Sequence, residues 1–88
     1  MSETFTIRQG TQVVIDDLRI GVVGAGLADG TLAARLVLRT QEGVQDVVLR
    51  VGERAETSRS SIALVSATED SDVPGTGTAV VEVADLPG

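Results

Sequence analysis

From Leu32 to Arg39, the residues Leu32, Ala34, Leu36 and Leu38 alternate with Ala33, Arg35, Val37 and Arg39. Successive side chains of a β-strand leave opposite faces, so this run turns its leucines toward a core and sets Arg35 and Arg39 together on the outside. Wound as a helix, the same run would spread Leu36-Val37-Leu38 around roughly 200° and leave no apolar stripe. The rhythm recurs along the chain. Phe5 and Ile7 alternate with Thr4, Thr6 and Arg8; Leu18, Ile20 and Val22 with Arg19 and Gly21; Val47, Leu49 and Val51 with Asp46, Val48 and Arg50. Ile62 and Leu64 lie in a β-branched stretch, Val81 and Val83 flank Glu82, and Gln12 to Ile15 is a further short candidate. Valine and isoleucine, stiff at the first side-chain torsion, suit a pleated surface better than a helix.

Turn-forming residues separate these runs: Gly10, Asp16-Asp17, Gly24 to Gly30, Gln41-Glu42-Gly43, Gly52-Glu53, Thr57 to Ser60, and Glu69 to Gly77 with Pro74. Seven to eight short antiparallel strands at this spacing predict an all-β fold, a small sandwich or barrel. At 88 residues the chain holds one domain, set at residues 1–86, with Pro87-Gly88 as a tail. Ile7-Arg8-Gln9-Gly10 resembles Leu49-Arg50-Val51-Gly52. Each is followed by a polar stretch, a strand, an acidic glycine-bearing loop and a last strand, at an offset that drifts from about 42 to 45 residues, as an internal duplication would leave.

The missing residue types exclude whole classes of chemistry. The chain has no His, Cys, Lys, Trp, Tyr or Asn, and Phe5 is its only aromatic residue. Without Cys there is no disulfide, thiolate nucleophile or Cys-ligated metal; without His the usual general base and the commonest metal ligand are gone; without Lys there is no Schiff base or phosphate-binding lysine. Ser58, Ser60 and Ser61 have no His or Lys to activate a hydroxyl. A net charge of −6 argues against nucleic acid and anionic membranes, and one aromatic residue cannot stack bases. No apolar run approaches the ~20 residues of a spanning helix, and Met1-Ser2-Glu3-Thr4 is not a secretory leader, so a cytoplasmic location is expected.

One segment resembles a cofactor motif. Ile20-Gly21-Val22-Val23-Gly24-Ala25-Gly26-Leu27-Ala28-Asp29-Gly30 is similar to the dinucleotide-binding fingerprint of flavin and nicotinamide enzymes, with Val47 to Val51 as a second strand ending at Glu53. That resemblance implies a helix over Leu32, Ala33 and Leu36. Asp29 stands where the third glycine belongs, and the alternation of Leu32 to Arg39 favours a strand, so Gly24 to Gly30 is read as a glycine-rich hairpin loop. The acidic loop Glu69-Asp70-Ser71-Asp72 has oxygen ligands that suit calcium but not EF-hand spacing, and is read as a solvated loop. Arg35, Arg39, Arg50 and Arg54 would form an anion- or acid-binding patch if their strands are neighbours.

All seven basic residues are arginines, and Ala, Val, Gly and Asp are abundant. In that bias, and in its alternating strands, Gly turns and acidic second loop, the chain resembles small actinobacterial all-β proteins classed as domains of unknown function. The resemblance rests on pattern over most of the chain and brings no site residue with it. The chain is therefore read as a non-catalytic β domain for protein interaction or self-assembly, not an enzyme. No catalytic, cofactor-binding or metal-ligating residue is assigned, and no cofactor is expected. The alternatives are a nucleotide- or small-ligand-binding domain using Gly24 to Gly30, and an accessory subunit of an enzyme. The expected partner is a second copy or another protein, with no nucleic acid and no membrane. Apolar doublets such as Val13-Val14, Val22-Val23, Val47-Val48 and Val80-Val81 would put valine on outer as well as inner faces.

Overall fold

Leu36, Leu38, Ile20, Ile62, Leu64 and Val81 are each at most 1% exposed, and they meet between two sheets. The computed structural model describes residues 2–28, 30–69 and 77–86. They form β1 (Ser2–Arg8), β2 (Gln12–Ile15), β3 (Leu18–Ala28), β4 (Thr31–Thr40), β5 (Gly43–Arg50), β6 (Arg54–Glu56), β7 (Ser60–Glu69) and β8 (Gly77–Asp85). All pairings are antiparallel, giving one sheet of order β2-β3-β4-β5 and another of order β1-β8-β7-β6. The fold is thus all-β, a two-sheet sandwich. Most of the inner residues anticipated from the rhythm are buried, with Leu36 fully buried and Arg35 and Arg39 exposed. The rhythm fails at two strand ends, where Leu32 beside the β3–β4 turn and Val51 in the turn after β5 are 38% and 42% exposed, and where Ala33, expected outside, is 5% exposed. Among the described residues no helix is long and apolar enough to cross a membrane.

The two sheets are copies of one plan. Replacing β1–β4 by β5–β8, and the reverse, turns the order β2-β3-β4-β5 into β6-β7-β8-β1, which is the other sheet. The hydrogen bonds repeat with it. The Gly10 amide donates to Val22 O (2.9 Å) as the Gly52 amide donates to Leu64 O (2.9 Å). The Gln9 amide donates to Gly77 O (2.8 Å) as the Val51 amide donates to Leu32 O (3.1 Å). Gly10 and Gly52 both take positive φ, 85° and 95°, a conformation in which only glycine is unstrained. Register breaks fall between Val22 and Gly24 and between Leu64 and Ser66, and the bulged Val23 and Val65 are each 48% exposed. The short sequence repeat is therefore the trace of a two-fold strand exchange, the symmetry an internal duplication produces.

Two expectations are corrected. Gly24 to Gly30 is not a loop: β3 runs to Ala28, Ala28 pairs with Thr31, and the connection shrinks to two residues, with Gly30 at φ 80°. Glycine lowers strand propensity, but here β4 supplies backbone partners and the glycines need no side chain toward the core. The Gly52-Glu53 break continues into a strand that the sequence did not announce, Arg54–Glu56, held by pairing with β7. The acidic stretch Glu69-Asp70-Ser71-Asp72 lies outside the described residues, except for the backbone of Glu69 at the end of β7.

Candidate interaction face

The outer face of the β2-β3-β4-β5 sheet follows from register. Gln12 and Val14 on β2 lie beside Gly21 and Arg19 on β3; Arg39, Val37 and Arg35 follow on β4; Val44, Asp46 and Val48 pair with them from β5, with Arg50 beyond. The strand residues of this face, four arginines and one aspartate, carry a net charge of +3, with Asp17 at its margin in the β2–β3 turn, while the rest of the chain carries three arginines against twelve carboxylates. Val14, Val44 and Val48 are 59%, 64% and 62% exposed. The face is thus cationic and apolar on an acidic protein.

Within it, one charge pair is closed. Arg35 donates through Nε and Nη2 to the two carboxylate oxygens of Asp46, at 3.0 and 2.8 Å. This bidentate hydrogen bonding holds the Asp46 carboxyl below the ordinary carboxylate range and raises Arg35, and both groups remain well exposed. Arg19 and Arg39 are different. They stand directly opposite each other across β3 and β4, and neither makes an ion pair among the described residues. Like charges in that position repel. Both line an open depression of about 370 Å³ with Asp17, Thr40 and Gln41.

Beside the arginines the surface drops to bare backbone. Gly21 faces outward between Gln12 and Val37, with no atom closer than 3.9 Å to where its Cβ would be. It forms part of a second open depression, about 550 Å³, whose lining includes Gln12, Val23 and Val37. Gly24, opposite Arg35, also has nothing within 4 Å of a Cβ. Of the glycines in the segment that resembles a phosphate-binding motif, Gly21 floors the second depression and Gly24 leaves open space beside Arg35. The strand–turn–helix context of a dinucleotide site is not formed, because Leu32 to Leu36 is strand.

The opposite outer face has another chemistry. It carries Thr4, Thr6 and Arg8 on β1, Thr78, Val80, Glu82 and Ala84 on β8, Ala63, the bulged Val65, Ser66 and Thr68 on β7, and Arg54 and Glu56 on β6. Its two arginines balance its two glutamates. Of the arginines expected to share a patch, Arg35, Arg39 and Arg50 do so, whereas Arg54 belongs to the other sheet. Arg19, Val14 and Val44 complete the patch; the alternation of Leu18 to Val22 already marked Arg19 as outward, but its partner strand was not legible. The serines do not assemble into a site: the Ser58 hydroxyl donates to the Glu42 carboxylate, Ser60 closes a turn on Thr57, and Ser61 is buried. Among the described residues no cluster of three His, Cys, Asp or Glu is placed to hold a metal. Comparison with protein-family models, curated proteins and solved structures gives no match.

Proposed function

We propose that this chain is a non-catalytic, cytoplasmic β module that binds an acidic protein segment through the outer face of its β2-β3-β4-β5 sheet. The observation that supports it is charge segregation: a +3 face carrying exposed valines, on a chain whose remaining surface is strongly acidic. Complementary potential steers encounter and sets partner choice, while exposed apolar groups supply area to bury. The test is a titration of ¹⁵N-labelled protein with a peptide repeating Glu-Thr-Val-Thr, which when extended shows acid and valine alternately on one face. Amide shifts are expected to cluster at Arg19, Arg35, Val37, Arg39 and Val48. Shifts centred on Thr6, Thr68, Thr78 and Glu82, or none, would refute it.

A second reading is self-association through the same face, favoured by the exposure of Val14, Val44 and Val48. Stacking two such faces would bring two +3 surfaces together, which is why the acidic partner is placed first. Sedimentation at rising concentration separates them: a constant 9.1 kDa species supports the acidic partner, and a dimer that dissociates on Val48→Glu supports self-association.

A further inference from the structure

We infer that Arg19 and Arg39 form a carboxylate-binding subsite, that the hollow over Gly21 is an adjoining subsite for an apolar side chain, and that the partner presents an acidic residue two positions from an apolar one. This rests on the reading of the outer face as the binding face and specifies the motif it takes. Arg19 and Gly21 are two residues apart on β3 and face the same way. An extended segment lying along β3 repeats its own side chains at the same interval, about 6.5–7 Å for every second residue. One carboxylate over the arginine pair therefore sets its second neighbour over the bare backbone.

The two subsites differ in what they lack. Arg19 and Arg39 are two exposed guanidiniums in register, with Asp17 as the one carboxylate lining their depression and no ion pair to it within 4 Å. A carboxylate bridging them relieves the mutual repulsion and accepts charge-assisted hydrogen bonds from both. Arg35, two rows further along β4, is already occupied by Asp46 and is not available in the same way. Over Gly21 the missing element is a side chain. Val37 and Val23 border a hollow that backbone floors, so an apolar group settles there beside valines without displacing anything. The symmetry-related sheet has neither subsite: Arg19, Arg39 and Gly21 correspond to Ser61, Ala84 and Ala63. Core packing thus does not require an arginine pair or a glycine at these places in the plan.

The experiment uses the full ¹⁵N-labelled chain and three blocked pentapeptides: Thr-Glu-Thr-Leu-Thr, Thr-Gln-Thr-Leu-Thr and Thr-Glu-Thr-Ser-Thr. The first is expected to bind about tenfold more tightly than either control, the scale of one charge-assisted contact for the glutamine peptide and of one partly buried leucine for the serine peptide. Arg39→Gln and Arg19→Gln should bring it down to the level of the glutamine control. Gly21→Val, which strengthens strand propensity while filling the hollow, should lower it to the level of the serine control and leave the binding of the serine peptide unchanged. Unchanged amide spectra outside the site confirm that each variant folds. Shifts on the outer face of β3 and β4 that ignore Arg39→Gln and Gly21→Val would overturn the subsites and leave the face standing. Shifts on the β1-β8-β7-β6 face, or no saturable shift up to about 10 mM peptide, would overturn both.

Discussion

The two sheets are alike inside and unlike outside. Behind them, Ile20 faces the core as Ile62 does, Val22 as Leu64, Ala34 as Ala79, Leu36 as Val81, and Leu38 as Val83, all at most 7% exposed. In front, the corresponding positions bear no such likeness. Arg19 stands where the other sheet has Ser61, Arg35 where it has Val80, Val37 where it has Glu82, and Arg39 where it has Ala84. Inner positions are held by close packing, in which even one methylene is felt. Outer positions are free of that constraint, and there the two sheets diverge in charge and side-chain type. One outer face is neutral and rich in hydroxyls, with Val65 as its exposed valine; the other is cationic and exposes Val14, Val23, Val44 and Val48.

The largest expected effect tests that division within one strand. Leu36→Asp buries an unpaired carboxylate at a position 0% exposed and should cost several kcal/mol, enough to unfold a small domain, while Arg35→Asp leaves a folded protein. Equal urea midpoints for the two would break the distinction between inner and outer residues. Next, Ile20→Ala and Ile62→Ala, both at 0% exposure, should each cost about 2–5 kcal/mol and differ by less than about 1 kcal/mol. A wide gap would show that the interiors are less equivalent than their topology.

Turns and edges carry smaller effects. A Cβ on Gly77 would lie 2.5 Å from Ala25 O, whereas its counterpart Leu32 is 38% exposed, so Gly77→Ala should destabilise by about 1–3 kcal/mol through overpacking. Gly10→Ala and Gly52→Ala, at φ 85° and 95° in open space, should cost about 1–2 kcal/mol each, and equally. The smallest effects belong to the exposed charges. Hydrogen bonding from Arg35 lowers the Asp46 carboxyl from its ordinary value of 3.8. Its contribution is therefore present above about pH 4 and is lost as pH falls through the lowered folded value. Arg35→Gln should flatten that acid-side dependence and leave stability at neutral pH nearly unchanged. Arg39→Glu should be neutral or stabilising by about 0.2–1 kcal/mol, because it turns the repulsive pair with Arg19 into an attractive one.

Much of the fold was legible because a two-residue period fixes which face a residue takes before any partner is known. Leu36 inward and Arg35 outward needed only their neighbours in the chain. The sheet partners were not legible, because pairing is decided by residues far apart. So Arg54 was grouped with arginines it does not join, and Arg19 was left out. Arg54–Glu56 has no apolar rhythm and is a strand only because Ser61 to Ala63 pairs with it. Gly24 and Gly26 look like turn residues locally, and the strand they extend depends on Ala33 to Arg35 across the hairpin. The repeat was visible at Arg8-Gln9-Gly10 and Arg50-Val51-Gly52 because both turns need glycine at positive φ. Elsewhere the halves share only apolar character. The candidate site was the least visible part, since it is a juxtaposition across four strands and no local motif encodes it.

The proposed binding belongs to one outer face and does not follow from overall charge. Two variants of comparable charge separate these. Replacing Arg19, Arg35, Arg39 and Arg50 by Gln removes four positive charges from the candidate face; replacing Arg8, Arg54 and Arg59 removes three from elsewhere. Calorimetric titration with the Glu-Thr-Val-Thr peptide at fixed low salt should show affinity falling by about tenfold or more in the first variant and changing by less than about twofold in the second. Equal losses in the two, or a loss confined to the second, would show that the β2-β3-β4-β5 face is not the binding face.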